Sequence, residues 1–85
     1  MLQTPERHRI LAEYSARMAE NLERGARNPR LTEWDRVRYA GLARLERLYQ
    51  AYYEEAALLA EQGIEAPDWI DWHQARERAG FDVTV

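Results

Sequence analysis

Apolar residues recur along this chain at spacings of three and four, the period of a helix with one buried face. In the first stretch Leu11, Tyr14, Ser15, Met18, Leu22 and Ala26 mark that face, while Arg17, Glu20 and Arg24 lie off it. Thr4 is placed to cap, Pro5 falls at the first helical position, and Gly25 with Asn28-Pro29 supplies the stop. These signals predict a helix over about 5–25.

A broader arc follows: Trp34, Val37, Gly41, Leu42, Leu45, Leu48, Tyr49, Tyr52, Ala56, Leu59 and Ala60 share a side, with Arg36, Arg44, Arg47, Glu54 and Glu61 opposite. Thr32 and Asp35 have the spacing of a capping box. Nothing breaks the pattern strongly before Gly63, so a helix over about 33–62 is predicted, roughly 45 Å long at about 1.5 Å per residue. Gly41 falls on the apolar side, where it is expected to permit a close helix approach. A third, short helix is predicted over about 67–79, with Pro67 in its first turn, Asp68 near its N-terminus and Gly80 after its end. Trp69, Trp72 and Ala79 give it an anchoring surface. In the tail, 80–85, Phe81, Val83 and Val85 alternate; it packs down, pairs with another chain or frays.

The expected fold is therefore all-α and a single domain: an antiparallel helical hairpin with a long second helix, plus a short C-terminal helix. The second helix outruns the first by about ten residues, so Ala56, Leu59 and Ala60 need a cover. Two solutions present themselves. A second subunit pairs with the hairpin into a four-helix-bundle-like homodimer, with Val37, Gly41, Leu48, Tyr52 and Leu59 in the seam; this is the expectation adopted. Alternatively, the third helix folds back and lays Trp69 and Trp72 over the same surface.

Composition sharpens this. Eighty-five residues give a small core that often requires a partner. The absence of cysteine excludes disulfides and thiolate metal sites. With no apolar run of spanning length and no signal-like N-terminal stretch, the expectation is a cytoplasmic protein without a membrane partner. The net charge of −3 argues against a general nucleic-acid binder. Residues 1–47 carry ten arginines against seven carboxylates, and residues 48–85 carry two against eight. That asymmetry is suited to orienting an antiparallel partner.

Candidate chemistry is sparse. Glu54 and Glu55 point about 100° apart on a helix, and no Glu-x-x-His pair supports a dimetal site, so neither a metal nor a cofactor is expected. Asp68, Asp71 and His73 do not converge on one helical face and read as first-turn carboxylates beside a polar histidine. Ser15 has no histidine at helical spacing, and no nucleophile, phosphate-loop or dinucleotide motif occurs, so no catalytic residue is assigned.

The reading that follows is a small non-enzymatic protein-protein interaction module, an accessory, adaptor or inhibitor. Its contact surface is apolar and aromatic (Trp69, Trp72, Tyr49, Tyr52, Tyr53, Leu48 and Leu59) with an arginine rim, and it meets a second copy or another protein. The alternative is a small enzyme or ligand-binding bundle with an anion-binding cavity between subunits. Arg38 lies within the apolar arc and motivates it, with Tyr49, Tyr52, Tyr53 and Glu55 as further lining. Arg24, Arg27, Arg30 and Arg36 surround the hairpin turn and are further candidates for anion binding.

Overall fold

The computed structural model describes residues 4–83, which form three helices: α1 (Pro5–Ala26), α2 (Glu33–Glu61) and α3 (Trp69–Arg78). Their ends are set by local chemistry. Thr4 Oγ1 accepts from the Arg7 amide at 3.2 Å, Thr32 Oγ1 from the Asp35 amide at 3.1 Å, and Asp68 Oδ1 from the Asp71 amide at 2.9 Å. Asp68 is thus the cap itself, and Pro67 stands before the third helix rather than inside its first turn. Asn28 turns the hairpin, its Oδ1 accepting from the Arg30 amide at 3.0 Å. α2 and α3 close alike. Gly63 at φ 73° lets the Ile64 amide reach Leu59 O, and Gly80 at φ 89° lets the Phe81 amide reach Arg76 O.

α1 and α2 pack as a hairpin along most of their length. The face that α1 buries differs from the expected one. It is His8, Ala12, Ser15 and Ala19, while Tyr14 is 62% exposed and Leu11 and Met18 are half-buried beside the seam. On α2 the buried positions are Ala43, Ala56 and Ala57, and Trp34, Val37 and Leu42 are exposed. Small residues let two helix backbones approach, so the bulky side chains are displaced to the flanks. Gly25 marks one such approach, since a Cβ there would meet the Tyr39 ring at 3.2 Å. Gly41 does not: nothing lies within 4 Å of where its Cβ would stand.

α2 therefore turns part of its polar side toward α1. Arg47 of α2 bridges to Glu23 of α1 through Nη2 at 2.7 Å and Nε at 3.3 Å. Arg36 is half-buried, its Nε enclosed without a hydrogen-bond partner. At the far end Arg9 pairs with Glu61. The broad apolar arc of α2 is left for other contacts, and only its second half receives them, from α3.

The result is a plate of 47 × 28 × 16 Å. Its radius of gyration, 14.7 Å, exceeds the roughly 12 Å of a compact domain of this length. Among the described residues no large side chain is fully buried. The surface area of 6268 Å² is about 1,000 Å² more than the ~5,300 Å² of a compact monomer of the same mass.

Candidate interaction surface

Two stretches of the α2 apolar arc define the surface. Along its second half, Tyr49 and Tyr52 receive α3. Tyr49 and Trp69 have ring centroids 4.6 Å apart; Tyr52 meets Trp69 edge-on at 5.8 Å and Trp72 at 5.5 Å; Trp69 stacks on Trp72 at 5.4 Å. Such contacts add to the gain from burying the rings themselves. Two of the polar handles find partners. Tyr52 donates its hydroxyl to Pro67 O at 2.6 Å, and Trp72 Nε1–H donates to Glu55. Burial pushes the Tyr52 pKa up, and neighbouring Tyr53 and Asp68 push it the same way. Its hydroxyl thus stays protonated near neutrality and is poorly placed for acid-base work.

Arg76 completes this cluster. Its guanidinium lies 4.8 Å from the Trp72 ring centroid and 4.4 Å from that of Phe81, with Glu55 at 3.9 Å. The tail packs down: Val83 is buried, and His73 Nε2–H is 3.2 Å from the Val83 carbonyl that accepts from it. Val85 lies outside the described residues.

Along the first half of α2 nothing covers the arc. Trp34 is 68% and Val37 66% exposed, Leu42 is exposed, and Gly41 opens onto empty space. Arg38 belongs to this strip. It is exposed, with its guanidinium 5.3 Å from the Trp34 ring centroid, so the charge rests on an aromatic face rather than inside an enclosed pocket.

The sequence-predicted interaction residues thus divide. Trp69, Trp72, Tyr49 and Tyr52 meet within the chain, with Tyr53 beside Tyr52 at 5.3 Å. Leu48 and Leu59 are half-buried, and Leu48 borders an open cleft with Glu23, Arg27, Arg44, Arg47 and Asp82. The predicted anion-binding arginines do not gather. Arg24 bonds Asn21, Arg27 enters the Leu48 cleft, Arg30 is held through its amide by Asn28, Arg36 borders a shallow cavity with Glu33, and Arg38 lies over Trp34. Arg44 and Arg47, assigned by periodicity to the polar side, are the arginines that join Arg27.

Among the described residues no group of three or more His, Asp or Glu side chains could hold a metal ion. No helix there is long and apolar enough to cross a membrane. No family model, curated protein or solved structure matches the chain.

Proposed function

We propose that this chain is a non-enzymatic helical interaction module whose contact surface is the uncovered first half of the α2 arc, Trp34, Val37, Gly41 and Leu42, rimmed by Arg38. A second copy of the chain is its first partner. The observation that carries this reading is the uncovered strip on a plate with about 1,000 Å² of surplus surface, close to the ~800 Å² each partner buries in a stable complex. Charge supports an antiparallel two-fold arrangement. Crossing at Gly41, it directs the arginine-rich turn of one copy toward the other's second half, where residues 48–85 carry eight carboxylates and two arginines. Gly41 presents no side chain to hold the backbones apart. Trp69 and Trp72 contribute indirectly here, by fixing α3 on the adjoining half of the same arc.

Sedimentation equilibrium tests the proposal. The expected mass is about twice the 10.1 kDa of one chain, falling to one chain in Val37→Glu with its helix content unchanged. Val37 is exposed in the isolated chain, so the charge costs the monomer little. A one-chain mass from about 10 µM to 1 mM overturns the self-association.

A further inference from the structure

Between α1 and α2, on the half of the hairpin nearer the turn, the Leu48 cleft has a volume of about 500 Å³, within the usual size range for small-molecule sites. Its apolar lining is aliphatic: Ala43 is buried, and Ala26, Ala40 and Leu48 are half-buried. Arg27 of α1 and Arg44 and Arg47 of α2 border it, with Glu23 and, from the tail, Asp82. The small side chains of the seam thus leave an apolar floor inside a ring of charge.

The three arginines are not equivalent. Arg47 is engaged at all three nitrogens: Nη2 and Nε donate to the two oxygens of Glu23, at 2.7 and 3.3 Å, and Nη1 donates to Gln50 at 2.9 Å. That bridge fixes one wall of the cleft and occupies Glu23. Arg27 and Arg44 make no ion pair among the described residues. The charge of Arg27 does reach the wall, where it helps to lower the Glu23 pKa. A guanidinium keeps its proton in proteins, so the sign of these two groups is fixed whatever the pH.

The balance of charge selects the ligand. Three guanidinium groups and two carboxylates border the cleft, which leaves one positive charge in excess. A single negative charge neutralises it, a dianion overshoots, and a cation meets Arg27 and Arg44. Among monoanions a carboxylate matches the planar fork of a guanidinium through two parallel N–H···O bonds. The aliphatic floor favours an apolar body on that carboxylate, because covering it removes apolar surface from water. A neutral molecule with the same body gains the floor contact alone.

We propose that this cleft binds a small aliphatic monocarboxylate, its carboxylate held by Arg27 and Arg44 and its hydrocarbon chain laid on Ala26, Ala40, Ala43 and Leu48. The site lies within one chain and is independent of self-association.

Sodium hexanoate and the neutral 1-hexanol are matched probes, followed at neutral pH and constant ionic strength through the Ala40 and Ala43 amides in proton–nitrogen correlation spectra of the full chain. Hexanoate is expected to saturate those shifts with a Kd of about 1–10 mM, the alcohol binding at least about five-fold more weakly. Arg27→Gln and Arg44→Gln change exposed side chains, so both variants are expected to keep the helical circular dichroism. Each is expected to weaken hexanoate about 2- to 5-fold and to leave 1-hexanol unchanged. Equal binding of the two probes, no saturable shift up to about 50 mM, or unchanged hexanoate affinity in either variant overturns the proposal. So does a shift that saturates at the Trp34 indole N–H and not at Ala40 and Ala43, since it places the hydrocarbon on the uncovered strip instead.

Discussion

The two halves of α2 carry the same kind of arc and meet opposite fates. From Tyr49 onward the arc is closed by α3 through a tryptophan–tyrosine cluster in which Tyr52 and Trp72 each donate a hydrogen bond. From Trp34 to Leu42 an equally aromatic and aliphatic strip faces outward, its one cation resting on a ring. Helical periodicity is the same in both halves. What separates them is reach, because α3 is only ten residues long and begins from the distal end of the hairpin. One helix is thus half packed and half open to solvent.

Substituting one tryptophan in each half breaks the comparison most directly. Trp72 is 4% exposed, bonds Glu55 and meets Tyr52 and Arg76, so Trp72→Ala is expected to cost about 3–5 kcal/mol. That is a large share of the stability of a small domain. Urea unfolding followed by circular dichroism measures it, with the helical signal of α3 falling at the same time. Trp34→Ala, in the uncovered half, is expected to change monomer stability by no more than about 0.5 kcal/mol. A comparable loss in the two variants, measured at concentrations where the chain is monomeric, would erase the distinction between the halves.

The hairpin seam supplies an intermediate effect. Ala19 is 0% exposed, so Ala19→Leu is expected to force the helices apart at a cost of about 1–3 kcal/mol, read from the same urea curves. Gly41→Ala has the opposite sign. Nothing lies within 4 Å of the added methyl, and alanine is a better helix former, so the monomer gains about 0.5–1 kcal/mol. If Gly41 lies at the crossing of two copies, that gain is accompanied by weaker self-association in sedimentation runs.

The helices were legible because their boundaries are local chemistry. Thr4, Thr32, Asp68, Gly63 and Gly80 act where they stand in the sequence. Which face α1 meets was not legible from hydrophobicity, because ranking by side-chain size put Tyr14 and Met18 in the seam instead of Ala12 and Ala19. A signal was nevertheless present: positions 8, 12, 15, 19, 22 and 26 alternate steps of four and three, the repeat of a close helical pair, and all but Leu22 are small or polar. The same repeat contains His8, which is buried although it stands between Arg7 and Arg9 in sequence. The apolar arc of α2 was legible from its periodicity, but its division into a covered and an exposed half depends on where α3 lands. The Arg27–Arg44–Arg47 group was hidden because its members come from two helices and no spacing within either one joins them.

The Glu23–Arg47 bridge gives the smallest effect and tests the polar side of α2 apart from its arc. The hydrogen bond from Arg47 holds the Glu23 carboxyl below its usual range; desolvation opposes it, and the charges of Arg47 and Arg27 add smaller effects in the lowering direction. A carboxylate depressed by folding contributes stability above its unfolded pKa, about 4.3, and loses it as pH falls through the lower folded value. Both side chains are more than a third exposed, so solvent and salt screen the contribution. Glu23→Gln is therefore expected to lower the midpoint of thermal unfolding slightly at pH 7, the difference closing as pH falls through the folded pKa of Glu23. Added salt at pH 7 is expected to shrink the difference as well. A gap that persisted at low pH would trace the effect to packing between α1 and α2 rather than to charge. The polar side of α2 would then act as seam, and the contrast on this helix would lie between a close-packed side and an open one.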